Sequence, residues 1–251
     1  MHVLQHPMCL GVCTAALLSV VNATSQQKLT TDVSWLETLS KMRVKLVQDG
    51  YAQIPQLSSS RLIDLKKPVS FVPTNSKGIK RAVLIGIDYV GQPRQLTGCQ
   101  KDVLNMKAYL TKVCGFHSTN MAILMDDGKS TSPTRQNITT AIATLVQSVK
   151  PGDVCVLHFS GHGEQLRSKT NPEGWDETIL PLDFATAGQI RDVELFNTFV
   201  CKIPRDVYTT CIFDSCHSGS MLNLPYISVG DGNSKGMRLD PEFIMPPTSP
   251  K

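Results

Sequence analysis

The chain has 251 residues, 41% of them hydrophobic and 18% charged, with 25 Lys and Arg against 21 Asp and Glu. That length and balance suit one α/β domain with extensions and a real buried core. The basic residues are scattered and form no block, so a nucleic-acid or polybasic membrane role has no support.

In chain order, the first feature is an uncharged, largely apolar stretch from Met8 to Val21, followed by the small-residue run Val21-Asn22-Ala23. Two readings stay open here: the core of a secretory signal, or a helix that docks on the domain. No Lys or Arg precedes the stretch, as a signal would want, and it is too short for a membrane span. Trp35 to Val47 carries a weak helical signal. The Ser58-Ser59-Ser60 run, with prolines at 55, 68 and 73, reads as loop or linker. Residues 1–77 are therefore expected to be an N-terminal extension and linker.

From Lys80 the pattern becomes regular. Arg81 to Asp88 (RAVLIGID) is a short apolar run and predicts a buried strand. A helix follows over about 98–114, with Cys99, Val103, Met106, Leu110 and Val113 on one face. Met121 to Met125 is a second strand. Ser132-Pro133 offers a cap and a first helical proline for a helix that runs to Val149, before Pro151-Gly152. Asp153 to Phe159 is the third strand. An extended segment over 178–184 and a helix around 193–201 precede the fourth, Tyr208 to Phe213. Alternating strands and helices of this kind predict an α/β fold with a mainly parallel sheet covered by helices on both faces.

The eight cysteines stand at 9, 13, 99, 114, 155, 201, 211 and 216, none in a paired CxxC unit, which argues against a structural zinc site. Cys155 and Cys211 lie in apolar runs and read as small core residues. Free thiols fit a reducing compartment, hence a cytoplasmic protein, with secretion as the alternative if residues 8–23 act as a signal.

In parallel sheets, reactive groups gather beyond the carboxyl ends of the strands. Ser160-Gly161-His162-Gly163 follows the third strand, and Asp214-Ser215-Cys216-His217-Ser218-Gly219 follows the fourth. An imidazole can take the proton of a thiol and later return one to a leaving amine, so His162 and Cys216 form a candidate catalytic pair. The backbone N–H groups of Gly163 and Cys216 are candidate oxyanion donors. His217 neighbours the thiol, but adjacent residues of an extended chain face opposite ways, which suggests a structural role. His158 and His162 show an HxxxH spacing; with His158 inside a strand, the zinc reading fails.

The runs HFSGHG (158–163), DETILPLDF (176–184) and FDSCHSG (213–219) resemble, in content, order and spacing, those of metacaspases, in the caspase-like clan of cysteine peptidases. The resemblance covers about residues 78–228 and implies a caspase-like three-layer sandwich with a His162/Cys216 dyad. It implies protein or peptide substrates cut after Arg or Lys, with Cys99, Asp102, Ser160 and Asp214 lining an acidic pocket. It also implies calcium as an activator and no organic cofactor. Asp176 and Asp192 match two calcium positions, while Val193 and Asn223 stand where carboxylates are usual and Glu194 could compensate. The small region that ordinarily completes the sheet has no counterpart after Tyr226, which leaves open a fragment, a truncated product or a chain that needs a partner chain to complete the sheet. A catalytically silent binding or regulatory protein is the alternative to the peptidase. Residues 229–251 are expected to be a flexible tail.

Overall fold

The computed structural model describes residues 11–25, 33–168, 174–216, 218–241 and 243. Ahead of the regular region lie α1 (Val12–Ser25), α2 (Trp35–Gln48) and β1 (Gln56–Ser59). Next come β2 (Lys80–Gly86), α3 (Cys99–Lys112), β3 (Met121–Met125), α4 (Arg135–Ser148) and β4 (Val154–Ser160). After them follow β5 (Gly163–Arg167), β6 (Trp175–Ile179), α5 (Phe184–Ala187), β7 (Ile190–Arg191) and α6 (Asp192–Leu195). A π-helical stretch, Phe196–Val200, leads to β8 (Tyr208–Asp214), β9 (Tyr226–Val229) and β10 (Arg238–Leu239).

The centre is a four-stranded sheet in the order β3-β2-β4-β8, with every pair parallel. All four strands match the expected apolar runs. Alternate residues feed opposite faces, as the two-residue period of a strand requires. Val83, Ile85, Leu157 and Phe159 pack with Ile138, Ile142 and Leu145 of α4 on one face. Ala82, Leu84, Val154 and Val156 pack with Val103, Met106 and Leu110 of α3 on the other. The register sets Gly86 opposite Ser160 and Ser160 opposite Asp214, so the carboxyl ends of β2, β4 and β8 finish level. A small antiparallel sheet, β5-β6-β7, is built on the exit of β4.

The section before Lys80 differs from a simple extension. Residues 12–21 of the apolar stretch lie in α1, whose Ala16, Leu17, Leu18 and Val21 are buried in the same cluster as Leu84 and Val103. The docked helix is thus the arrangement present, and α2 joins it through Met42 and Leu46. Ser34 caps α2 by accepting from the Glu37 N–H at 3.2 Å, the first half of a capping box. Where a loop was expected at Ser58–Ser60, β1 pairs antiparallel with β9 from Gln56 to Ser59. The expected tail likewise begins inside β9 at Val229, and Arg238–Leu239 pairs with β9 as β10. Such short polar strands have little intrinsic signal; cross-strand pairing makes them.

Three boundaries move for local reasons. The cap of α4 is Thr134, whose hydroxyl accepts from the Asn137 N–H, while the Pro133 carbonyl accepts from Leu182 N–H. The extended segment starts earlier, at Trp175, and ends at Ile179 because Pro181 and Asp183 turn the chain into α5. Val113 falls beyond α3 and is exposed, its place on the inner face being taken by Tyr109.

Candidate active site

β4 ends at Ser160, Gly161 and His162 turn, and Gly163 starts β5. The His162 imidazole is buried, with Nε2 2.7 Å from the Arg94 carbonyl oxygen. A carbonyl can only accept, so Nε2 carries the proton and Nδ1 keeps the lone pair. Burial holds the His162 pKa below its ordinary value, with the Arg94 carbonyl opposing that shift. Arg94 itself has φ +64, a left-handed backbone that aims its carbonyl at the ring. Tyr89 lies beside the imidazole, with ring centroids 4.7 Å apart. Its hydroxyl accepts from the His162 N–H at 3.0 Å and donates to the Leu180 carbonyl at 2.6 Å. Neither Tyr89 nor Arg94 was singled out from sequence. Both sit in an irregular loop after β2, where no period or motif marks them.

Cys216 follows β8 and shares a cleft of about 390 Å³ with His162, Gly163, Glu164, Gln165, Arg94 and Trp175. Level strand ends therefore bring the expected pair, distant in the chain, to one opening. Gly163 is packed so tightly on the nucleophile loop that a Cβ there would lie 2.1 Å from the Cys216 carbonyl oxygen. Only glycine permits that approach. His217 lies outside the described residues.

The four expected pocket residues are also brought together. The Ser160 hydroxyl donates to Asp102 Oδ2 at 2.9 Å, with Cys99 one turn before Asp102 on α3 and Asp214 beside Ser160 in register. All four are buried, and none lines the cleft that holds Cys216. They sit instead beneath the first turn of α1, where Gly11 packs on Asp102 and the Thr14 N–H donates to Asp214 Oδ2 at 2.6 Å. Burial, and then the charge of Asp214, push the Asp102 carboxyl up to about 8. Burial raises Asp214 as well, against hydrogen bonding from α1.

Asp176 and Asp192 are near each other and buried; burial, with a smaller contribution from the charge of Asp176, raises the Asp192 pKa against hydrogen bonds from the Val193 and Glu177 N–H groups. Arg191 Nη1 lies 2.6 Å from Asp176 Oδ2. The N–H groups of Val193 and Glu177 take the two oxygens of Asp192 at 2.5 and 3.2 Å. Glu194 turns away to Arg135 at 2.5 Å. Calcium prefers six to eight oxygens with several carboxylates. Among the described residues no group of three His, Cys, Asp or Glu side chains could hold a metal. In this arrangement the residues do not fit the ion, because a guanidinium already stands at the carboxylate.

Comparison with known proteins agrees with the sheet and its loops. Residues 80–225 match the metacaspase, peptidase C14 domain. The chain is 41% identical to Metacaspase III c of Phaeodactylum tricornutum over 237 residues, covering 93% of this chain and 70% of that protein. That likeness therefore reaches well into the section before Lys80. Over 166 residues it is 43% identical to Metacaspase-1 of Mycosarcoma maydis, covering 64% of this chain and 41% of the relative. Over 169 residues it is 44% identical to Metacaspase-1B of Aspergillus fumigatus, covering 66% and 41%. The chain thus spans about two fifths of the length of these two fungal relatives. With a matched domain over more than half its length, laid on strand ends that deliver His162 and Cys216 to one cleft, the chain belongs to the metacaspase family, peptidase C14.

Proposed function

We propose that the protein is an endopeptidase that cuts after Arg or Lys, with Cys216 as nucleophile and His162 as its base. The observation that carries this is the Nε2–H bond of His162 to the Arg94 carbonyl, which leaves Nδ1 as the proton acceptor in the cleft shared with Cys216. Nδ1 takes the Sγ proton, and the thiolate adds to the substrate carbonyl. The imidazolium then protonates the leaving amine, giving an acyl thioester that water hydrolyses.

Gly163 and Cys216 are the proposed oxyanion donors. Leu180 N–H donates to the His162 carbonyl, so His162 and Leu180 form a hydrogen-bonding pair and Gly163 the next, non-bonding one. At such a position the N–H points away from the partner strand. One such donor is worth about 3 kcal/mol in the transition state.

The basic side chain is assigned to Asp102 and Asp214, with Cys99 and Ser160 beside them. What supports this is a buried pair of carboxyl groups with no ion-paired cation among the described residues, in which Asp214 Oδ1 has no hydrogen-bond partner among them. Access requires the Gly11–Cys13 backbone to give way, and that closure favours the second reading, a silent regulatory protein. β8 is an edge of the four-stranded sheet, where a partner chain could add a strand. Cytoplasmic residence is supported by the free thiols at Cys13, Cys99, Cys114, Cys155, Cys201, Cys211 and Cys216. No helix among the described residues is long and apolar enough to cross a membrane.

Fluorogenic peptides ending in Arg, Lys or Asp, assayed with calcium and with a chelator, test the reading. The Arg and Lys peptides are cleaved, and Cys216→Ala and His162→Ala abolish turnover while His217→Ala leaves some. Cleavage of the Asp peptide alone overturns the pocket assignment. No turnover from folded protein favours the silent reading.

A further inference from the structure

Thr14, in the first turn of α1, is fully buried and reaches two groups of the central sheet at once. Its N–H donates to Asp214 Oδ2, and its Oγ1 lies 3.1 Å from His158 Nε2. His158 is enclosed in β4, and burial brings its pKa down to about 3, so the ring is neutral. Burial raises the Asp214 pKa, and the Thr14 N–H and hydroxyl, with the Cys13 and Gly11 N–H groups, oppose that shift. A hydroxyl has one proton to give. The assignment that satisfies both neighbours is a chain in which His158 Nε2–H donates to Thr14 Oγ1, and Thr14 O–H turns to Asp214. Such chains polarise each other in a buried setting.

The other member of the acid pair is held by the same turn. Gly11 has φ +109, and a Cβ there would lie 2.1 Å from Asp102 Oδ2. One feature points beyond mere packing. Asp214 is 1% exposed, yet its Oδ1 lacks a partner, an arrangement that costs free energy unless a donor arrives.

We infer that Thr14 is a positioning residue of the pocket for basic side chains: it fixes Asp214 through Oδ2 and leaves Oδ1 for a guanidinium or ammonium. The affinity for Arg and Lys is then set partly from outside the matched domain. This rests on the assignment of Asp102 and Asp214 to that pocket.

The test uses Thr14→Val, which keeps shape and N–H but loses the hydroxyl, beside Thr14→Ser, which keeps it. Thr14→Ala runs in parallel, so misfolding of one variant leaves the other to decide. The readouts are kcat and KM for an Arg peptide across pH, and calorimetric binding of benzamidine to each change placed in the Cys216→Ala protein. A lost hydrogen bond to a charged group predicts KM and Kd about tenfold higher, with kcat little changed. The acidic limb of kcat/KM moves to higher pH, and Ser restores both values. Unaltered KM and Kd in the folded fraction overturn the role, since lost packing would reduce only the amount of active protein. Tighter benzamidine binding overturns it too, by showing that the turn is a plug. Asp214→Asn separates the layers. If it keeps benzamidine binding and the preference for basic peptides, the pocket assignment falls; if it loses them while Thr14→Val does not, only Thr14 falls.

Discussion

The Nε2 of His162 and the main-chain oxygen of Arg94 stand 2.7 Å apart, so the tautomer of the proposed base is set by backbone and not by a third side chain. The guanidinium of Arg94 points elsewhere, pairing with Glu164 at the exposed rim of the cleft. What the ring needs from this loop is its path. Tyr89 holds that path by bridging the His162 N–H and the Leu180 carbonyl.

Tyr89→Phe removes the bridge and leaves a buried donor and a buried acceptor unpaired. Urea unfolding should show a loss of about 2–3 kcal/mol. The rate kcat for an Arg peptide should fall about tenfold as the ring loses its seat, with KM less affected. Lost stability with unchanged kcat would show that Tyr89 serves packing alone.

Gly163→Ala drives a Cβ into the Cys216 carbonyl oxygen and to within 3.0 Å of Ser215 Oγ. Both obstacles belong to the nucleophile loop, so the loop must move. A shift of about 1 Å can cost about a hundredfold in rate, and kcat/KM should fall by at least that much. Active-site titration with an alkylating reagent should show slower thiol modification. A variant of normal activity would refute the close approach.

The acid pair makes stability depend on pH. The Asp102 pKa is raised from 3.8 to about 8, chiefly by burial. A raised folded pKa means that the folded chain keeps a proton the unfolded chain has released. Its contribution is complete below pH 3.8 and is lost as pH rises through about 8. Within that window stability should fall by up to about 1.4 kcal/mol per pH unit for one proton. Asp214 is shifted the same way, so Asp102→Asn should reduce the slope without abolishing it. Unfolding titrations at several pH values check this; a slope identical in the variant would place the proton elsewhere.

Arg191→Met deletes the cation that holds Asp176, leaving its buried carboxyl group without an ion pair near the buried Asp192. Breaking a buried pair from one side costs about 3 kcal/mol, read as a lower urea midpoint in chelator. Millimolar calcium should raise the midpoint of the variant and leave that of the parent protein unchanged. An equal response in both would mean that Arg191 does not fill the cation's place.

Much of the framework was legible in the residues. The apolar runs of β2, β3, β4 and β8 are continuous because both faces of the sheet are covered, and the level ends place His162 and Cys216 at one opening. Other parts carried no local signal. The QLSS of β1 is polar and short, and it becomes a strand only because β9 lies alongside. The apolar stretch from Met8 left a signal peptide and a docked helix open as composition; that residues 16–21 pack with Leu84 and Val103 is seen only in the fold.

By itself, then, the sequence determined the strands and helices of the central sheet and the two chemical groups at its end, since hydrophobic period and glycine spacing are local properties. Only the tertiary structure decided which nitrogen of His162 is free, which cation answers Asp176, and that the first turn of α1 closes over Asp102 and Asp214. Those outcomes depend on contacts between residues far apart in the chain, and no spacing rule encodes such distances.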